Sequence, residues 1–329
     1  MTNKENYLNA LNHKKTEWTP VHGASVAITG YVNLPFEKGP LGGGYDGFGV
    51  RWVVEKSSGG NAAPMPAPGE LALTDVTKWK ELPFPDVESY DWQGAAESFL
   101  ATVDRNQIAV DFSCGNGQFE RLVALMGFEN ALMAMYEEPE AVYELLEAIT
   151  DYKIKIVKKV AQYYHADTFT NFDDVASQKQ TMMSPEMYKE LISPHHKRLN
   201  QAIREAGMLP VQHCCGYASD IVECFIDEEA AAWNPVQPHN DIVALCKTYG
   251  DKVIISGGYD TNGLPGQTTD EEIIRAEARR CIDAYGGEPN YVFMGFLLFS
   301  GDQGATFERL EKVMNDEADR YAKEKAGII

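Results

Sequence analysis

The sequence predicts an α/β protein of the distorted (β/α)8, or TIM-type, barrel class. From residue 107 onward, short apolar runs typical of strands alternate with longer segments of helical period. Strands separated by single helices imply right-handed crossovers and a parallel sheet. Seven or eight strands are predicted in total, which suits a closed barrel better than an open sheet. With 329 residues and 44 % hydrophobic content, the chain can bury such a core as a single domain spanning 1–329.

The N-terminal third carries fewer regular patterns. Residues 3–13 predict a helix, and Trp18-Thr-Pro-Val21 predicts the first strand. Residues 48–54 predict another strand inside a Gly- and Pro-rich stretch, roughly 31–104. We interpret this stretch as an elaborated loop region that covers the barrel. Its tryptophans disfavour the alternative of a polar linker between two domains.

The remaining chain predicts an alternation of strands and helices. Ser184 followed by Pro185 marks a helix start, with serine at the capping position and proline at the first helical position. The predicted strands cover residues 107–112, 168–172, 209–213, 231–236, 252–256 and 291–296. The predicted helices cover residues 117–126, 129–135, 139–164, 184–207, 218–226, 241–249, 269–284 and 305–325.

Composition excludes several classes of partner. The formal net charge of -20 disfavours nucleic acid and anionic membrane surfaces, since both require a basic protein surface. No apolar run approaches the length that spans a bilayer, and the first residues lack the apolar core of a signal peptide. Six cysteines in a chain of this length do not indicate a disulfide scaffold. We therefore expect a soluble cytoplasmic protein, and a homodimer is compatible with the sequence.

The most informative stretch is Leu209 to Tyr217, a short buried strand that ends in His213-Cys-Cys-Gly216. Side chains at positions i and i+2 of a strand share a face, so His213 and Cys215 should point together while Cys214 points away. Strand ends are where α/β barrels place their chemistry. A hydrogen-bonded core histidine beside an inert thiol is the structural alternative.

Other strand-end residues should converge on the same mouth. Asp173 and Asp174 follow a strand, and turn-forming Asx residues are their structural alternative. The set is largely uncharged or acidic, which suits a neutral, aromatic or cationic ligand. The expected substrate-binding residues are His22, Gln237, Tyr259, Asp260, Phe296 and Phe299. His195 and His196 lie within a predicted helix and are expected to be a solvated pair.

Four motifs carry a resemblance to a known family. They occur in the order Met183-Ser-Pro-Glu-Met-Tyr188, His213-x-Cys215-Gly, Asn234-Pro-Val-Gln-Pro238 and Gly257-Gly-Tyr-Asp260. Together they resemble the uroporphyrinogen decarboxylase superfamily, and within it the branch of corrinoid-dependent methyltransferases. The resemblance is dense from about residue 112 to the C-terminus and thinner before it.

The resemblance implies a methyltransferase that moves a methyl group from a methoxylated or otherwise methylated small molecule to a corrinoid supplied by a separate protein. It also implies a Zn²⁺ site with His213 and Cys215 as ligands. The third family ligand, a cysteine near Phe296, is missing, so the third ligand stays unknown. Asp173 or Asp174 could supply it, or could act with His213 in catalysis as the acid that protonates the leaving oxygen.

Three alternatives stay open. The first is a decarboxylase of a small carboxylated substrate; uroporphyrinogen itself is disfavoured because residues 22–29 contain none of the arginines that such decarboxylases use. The second is a methylcorrinoid:thiol methyltransferase, because zinc stabilises a thiolate. The third is a barrel that binds a ligand without turning it over.

Overall fold

A computed structural model describes residues 1–29, 37, 43–54, 64–298 and 305–329, with the side chain of residue 305 left out. The predicted site residue Phe299 lies outside the described residues. Within the described ranges the architecture is a curled parallel sheet surrounded by helices, together with a small antiparallel sheet.

Among the described residues, the main sheet has seven parallel strands, which lie side by side in the order β1 (Val26–Thr29), β5 (Ala109–Cys114), β6 (Thr168–Phe172), β7 (Leu209–His213), β8 (Ala232–Val236), β9 (Ile254–Gly258) and β10 (Tyr291–Met294). Apart from β1, neighbouring strands follow one another along the chain with a helix between them, as right-handed crossovers require. The predicted α/β barrel class is therefore confirmed.

The N-terminal segment of residues 20–29 contacts both ends of the strand order, because it bridges β10 through Val21 and contributes β1. Val21 forms a parallel bridge with Phe293 of β10, and the Phe293 N–H donates to the Pro20 carbonyl at 2.9 Å. A helical turn then separates Val21 from β1, which pairs with β5. The prediction of a regular strand over residues 18–21 was wrong, because only Val21 pairs and the regular strand begins five residues later.

The helices that follow the strands from β5 onward cover the outside of the curled sheet. Ser184 caps α7 through its Oγ, which accepts from the Met187 N–H at 3.1 Å, as the Ser-Pro pair predicts. Tyr188–Ile192 forms a π-helical turn that leads into α8. The helices are α1 (Asn3–Leu11), α2 (His22–Ser25), α3 (Trp92–Leu100), α4 (Gln118–Met126), α5 (Phe128–Glu137), α6 (Pro139–Tyr163), α7 (Pro185–Met187), α8 (Ser193–Glu205), α9 (Val222–Asp227), α10 (Ile242–Tyr249), α11 (Glu271–Tyr285) and α12 (Ala305–Lys325). Among the described residues, none of these helices combines the length and the apolar character that crossing a bilayer requires.

The lower end of the barrel is filled by α1. Tyr7, Ala10 and Leu11 of this helix pack against inward-facing residues such as Val211 and Ile254. Every second residue of a strand faces inward, so Val211 and His213 lie on the same inward face of β7, with His213 two residues nearer to the carboxyl end. Apolar side chains therefore fill the lower end of the barrel, and the polar side chains lie at the upper, carboxyl end of the strands.

The small sheet consists of β2 (Gly44–Tyr45), β3 (Arg51–Val53) and β4 (Met65–Pro66). Asp46 joins it to the barrel, because its Oδ2 accepts from Arg121 Nη1 at 2.6 Å and from Trp52 Nε1 at 3.0 Å. Its Oδ1 accepts the backbone N–H groups of Phe48 and Val50, both at 2.9 Å. Buried carboxylates are stable only when paired in this way. The predicted loop region therefore contains a folded sheet that is fixed to α4.

Candidate metal centre at the strand ends

Three side chains of types that can bind a metal meet at the carboxyl ends of β6 and β7. One ligand atom from each of Asp174, His213 and Cys215 lies within 4.8 Å of the other two. His213 Nε2 is 3.6 Å from Cys215 Sγ and 3.9 Å from Asp174 Oδ1. The Cys215 backbone N–H donates to Asp174 Oδ1 at 2.6 Å, which fixes the aspartate against the loop after β7. His213 and Cys215 point together as the strand geometry predicts, and Asp174 joins them.

A sharp turn follows Cys215 and packs closely against the backbone of residues 176–177. Gly216 has φ +90°, and a Cβ atom there would lie 2.5 Å from the Ser177 carbonyl oxygen. The Gly216 N–H donates to Gln237 Oε1 at 2.9 Å. Cys214, the residue between His213 and Cys215, is fully buried in the outer core. The glycine is thus required by both its conformation and its surroundings.

The His213 ring is held by its neighbours. Its Nδ1 lies 3.1 Å from Asn234 Oδ1, an acceptor, so Nδ1 carries the proton and the lone pair of Nε2 is left on the side of Asp174 and Cys215. Phe172 stacks on the ring at 3.7 Å between centroids. Burial lowers the pKa of His213, which favours the neutral imidazole that binds metals.

Negative charge gathers around the thiol. Burial raises the pKa of Cys215, and the nearby carboxylates of Asp174 and Glu120 raise it further. A thiolate would become stable there only beside a cation. One nitrogen, one sulfur and one carboxylate oxygen are ligand types that Zn²⁺ takes, and three protein ligands leave a fourth position open, as in catalytic zinc sites. The donor set therefore fits the predicted metal.

Asp173 lies outside this group, although it precedes Asp174 directly. Its fully buried carboxylate accepts the backbone N–H groups of Phe119 at 3.0 Å and Glu120 at 2.8 Å, at the start of α4. It also lies 2.8 Å from His196 Nε2. A Cβ at Gly117 would lie 2.2 Å from the Asp173 Cβ, so only glycine permits this close contact. Asp173 thus anchors α4 to the end of β6.

His196 completes a buried polar group behind the site. Its Nδ1 lies 3.0 Å from the Tyr188 hydroxyl, which donates to Glu228 at 2.9 Å. Burial alone would lower the pKa of His196, but Glu228 and Asp173 outweigh it and raise the pKa to about 9. The expectation that His195 and His196 are a solvated pair was wrong, because both are buried.

The other predicted substrate residues take varied positions. His22 is buried with its ring edge-on to Tyr7, and burial together with His213 lowers its pKa to about 4. The Gln237 side-chain oxygen accepts the Gly216 N–H and so stabilises the turn after Cys215. Tyr259 is buried and its hydroxyl donates to the Pro265 carbonyl at 3.1 Å.

Asp260 and Phe296 lie on loops beyond β9 and β10. Asp260 Oδ1 accepts the Gly263 N–H at 3.0 Å, which is a turn contact. The Phe296 carbonyl accepts from Thr261 Oγ1 at 3.0 Å, and the residue is half-buried. Their role in substrate binding stays a prediction.

Sequence reasoning missed Asn234 and Glu120 as site residues. Asn234 is the direct neighbour of His213 in the register between β7 and β8, so aligning the two strands would have placed it beside the imidazole. Glu120 lies on α4, and no strand-end pattern points to it. Its proximity follows from the anchoring of α4 by Asp173.

A profile of the family described as "Uroporphyrinogen decarboxylase (URO-D)" matches residues 116–295, more than half of the chain and all three members of the site. The chain belongs to the uroporphyrinogen decarboxylase family. The predicted family resemblance is thereby confirmed.

Two relatives of this family member carry different names. A "Uroporphyrinogen decarboxylase" of Chlorobaculum parvum is 27 % identical over 207 residues, which cover 59 % of this chain and 54 % of the relative. A "Methylated-thiol--coenzyme M methyltransferase" of Methanosarcina mazei is 25 % identical over 167 residues, which cover 48 % of this chain and 41 % of the relative. The chain thus spans about half the length of the curated relatives it matches.

A solved structure extends the likeness in fold to nearly the whole chain. A "methyltransferase from Methanosarcina mazei" superposes with a TM-score of 0.68 at 15 % identity, covering 98 % of this chain and 99 % of the other. At this identity the likeness concerns the fold, and it agrees with the curled α/β barrel described above.

Proposed function

We propose that this family member is a corrinoid-dependent methyltransferase. It moves a methyl group from a methoxylated or otherwise methylated small molecule to the cobalt of a separate corrinoid protein. The observation that carries the proposal is the meeting of Asp174, His213 and Cys215 at the strand ends. The methyltransferase names of one relative and of one structural neighbour support it.

In this proposal His213, Cys215 and Asp174 hold Zn²⁺. When bound, the metal supplies Lewis acidity to the heteroatom that parts from the methyl group. Asn234 keeps His213 Nε2 available, and Phe172 shields one face of the imidazole from water. The cysteine N–H holds Asp174 in place without using its second oxygen. These contacts orient the ligands in advance.

The reaction balances without a further redox partner. The bond between methyl carbon and heteroatom breaks with its electron pair left on the heteroatom, which then takes up a proton. The electron pair for the new bond comes from the reduced cobalt of the partner. The protein therefore has to stabilise charge at the leaving atom and to exclude competing water.

A second candidate uses the same site in the opposite direction. A methylcorrinoid:thiol methyltransferase would pass the methyl group from the corrinoid protein to a thiol, and the name of the Methanosarcina mazei relative favours it. Thiol activation gains from zinc in the same way. A decarboxylase of a small substrate is less well supported, since residues 22–29 contain no arginine.

Metal analysis tests the site directly. The purified protein should contain about one zinc per chain, as a site with three protein ligands requires. His213→Ala and Cys215→Ser should each lose this zinc. Cys224→Ser is the matched control, because this half-buried thiol lies on α9 outside the site and should leave the zinc content unchanged. Equal zinc content in all four proteins would contradict the proposed ligands.

Activity measurements separate the candidate reactions. Mixing the protein with reduced corrinoid protein and methyl ethers should change the corrinoid absorbance and release the demethylated product. Demethylation of a methylated corrinoid protein by a thiol alone would instead favour the second candidate. Release of carbon dioxide in the absence of corrinoid would favour a decarboxylase and count against both transfer reactions.

A further inference from the structure

The end strand β10 begins an apolar stripe that rises from the core of the barrel to its mouth. Val292 packs in the apolar lower end of the barrel together with Tyr7 of α1. Met294 and Phe296 follow two and four residues later, and both are partly exposed. Alternation places all three side chains on one face, so the stripe leaves the buried core and reaches solvent at the carboxyl end of the strand.

Buried contacts on the opposite face fix this orientation. Phe293 and Leu297 are buried in the outer core. Gly295 packs so closely against the same core that an added Cβ would lie 2.6 Å from a side-chain carbon. Because positions 293, 295 and 297 all face outward, Met294 and Phe296 between them face the inside of the barrel.

The other end strand, β1, adds a third apolar side chain to the mouth. Val26 packs in the same lower core, and Ile28 follows it by two residues on the same face. The register partner of Ile28 on β5 is Asp111, two residues beyond the core residue Ala109. Ile28 is nevertheless 51 % exposed. An inward-facing isoleucine with half of its surface exposed lines an open part of the mouth.

Ile28, Met294 and Phe296, which we name the apolar wall, lie across the barrel from the candidate metal centre. β7 carries His213 and is the middle strand of the described sheet, whereas β1 and β10 are its two end strands. The bridge from Val21 to β10 brings these end strands together around the barrel. The middle strand faces this seam when the sheet curls. The mouth therefore has a side with metal-ligand chemistry and an apolar side opposite it.

We propose that the apolar wall holds the carbon body of the methyl donor, and that the protein prefers methyl ethers or thioethers with an aromatic or bulky apolar body over small polar ones. The inference rests on the proposed methyl transfer, since it places the methyl-bearing heteroatom at the metal centre. A barrel of this size can enclose one small ligand. Binding then removes apolar area of both donor and wall from water, and the flexible Met294 side chain can adapt to the shape of the donor.

Two methyl ethers with different bodies test the preference. Methoxybenzene has an aromatic body, and 2-methoxyethanol has a small polar one. Their binding to the full-length zinc-loaded protein can be measured by ligand-observed NMR and calorimetry. Methoxybenzene should bind about tenfold more tightly, since burying roughly 60 Å² of additional apolar surface gives this ratio.

Two truncations and one control locate the effect. Phe296→Ala and Met294→Ala should each weaken the binding of methoxybenzene about tenfold and change that of 2-methoxyethanol by less than about twofold. Met133→Ala is the matched control, because this exposed methionine lies on α5 outside the barrel and its loss should leave binding unchanged. All three variants should keep the zinc content of the wild type, since none of them replaces a proposed ligand.

Ile28→Lys gives a result that a folding defect cannot imitate. A lysine in the wall should weaken the binding of methoxybenzene and strengthen that of 4-methoxybenzoate, whose carboxylate points to the wall when its methoxy group lies at the metal centre. The gain over the wild type should be about three- to fivefold, as for an ion pair exposed to solvent. Because Ile28 is half exposed, the ammonium group can stay in water and the melting temperature should change little.

Binding and turnover fail independently. Equal binding of the two ethers to the wild-type protein, or unchanged methoxybenzene binding in both Phe296→Ala and Ile28→Lys, overturns the inference. Wall variants that bind the probes normally but no longer bind the corrinoid protein would assign the wall to the partner and overturn it too. The expected binding order without methyl transfer from either ether supports the wall and counts against the proposed function. Methyl transfer that is insensitive to the wall variants leaves the proposed function standing and removes the wall from it.

Discussion

Replacing Asp173 with Asn should destabilise the protein and weaken the dependence of its stability on pH. The aspartate carboxylate is fully buried, accepts two backbone N–H groups of α4 and lies 2.8 Å from His196 Nε2. An asparagine of nearly the same shape keeps one oxygen acceptor but removes the charge. It leaves His196 with Glu228 as its remaining acidic neighbour.

The size of the effect follows from the pKa of His196. A rise from 6.5 to about 9 corresponds to about 3 kcal/mol, at about 1.4 kcal/mol per pH unit. Because the pKa is raised in the folded state, this stabilisation is complete below pH 6.5 and is lost as the pH rises through about 9. About 2 kcal/mol of it should disappear between about pH 6 and pH 8. Removing one partner of a buried pair costs about 3–5 kcal/mol, so the variant should lose about that much at pH 6.

Chemical denaturation at pH 6 and pH 8 measures both effects as free energies of unfolding. The wild type should lose more stability over this interval than Asp173→Asn does. Asp151→Asn is the control, because Asp151 pairs with Arg198 on the surface and its loss should cost less than about 1 kcal/mol. If Asp173→Asn and Asp151→Asn cost the same, or if the wild-type and Asp173→Asn curves fall in parallel, the assignment of a charged His196 is refuted.

Three further substitutions probe the supports of the site. Arg121→Met leaves the Asp46 carboxylate buried without its cation and should cost about 3–5 kcal/mol in denaturant unfolding; a cost below about 1 kcal/mol would show that the pair does not hold the small sheet. Gly216→Ala places a Cβ at a φ of +90° and 2.5 Å from the Ser177 carbonyl oxygen, so the free energy of unfolding should fall by about 1–3 kcal/mol in calorimetry and the bound zinc should be lost in metal analysis. A variant that keeps its full zinc content would show that this turn does not support the proposed ligands. Asn234→Ala removes the acceptor beside His213 and should weaken zinc binding by about 10–100-fold in a chelator competition, and unchanged affinity would remove Asn234 from the site.

The barrel was predictable because the strand–helix pattern of the sequence is repeated several times. Each strand after residue 107 is followed by an amphipathic helix, so an error at one element leaves the pattern intact. The N-terminal segment has no such repetition. Val21 and β1 lie on either side of one helical turn, and the pattern of residues 18–29 does not reveal that the chain contacts both edges of the sheet there.

The sequence does not tell which of Asp173 and Asp174 lies beside His213 and Cys215, for a specific reason. β6 carries large apolar residues on both of its faces, Phe169 on one and Phe172 on the other, so hydrophobicity does not tell which face is inward. The structure stacks Phe172 on His213 inside the barrel. Because side chains alternate between the two faces, Asp173 points outward to α4 and Asp174 points inward to His213 and Cys215.

The two neighbouring aspartates therefore have different roles, and replacing one or the other should affect zinc content and stability differently. Asp173 holds the start of α4 by accepting two of its backbone N–H groups. Asp174 accepts the Cys215 N–H and has a partly exposed side chain, so its loss removes a proposed ligand and little packing. Asp174→Asn should lose zinc and keep its free energy of unfolding in the metal-free state. Asp173→Asn should show the reverse, with zinc retained and stability lost. Identical behaviour in both measurements would mean that the aspartates act as one unit, which the opposite directions of their carboxylates do not allow.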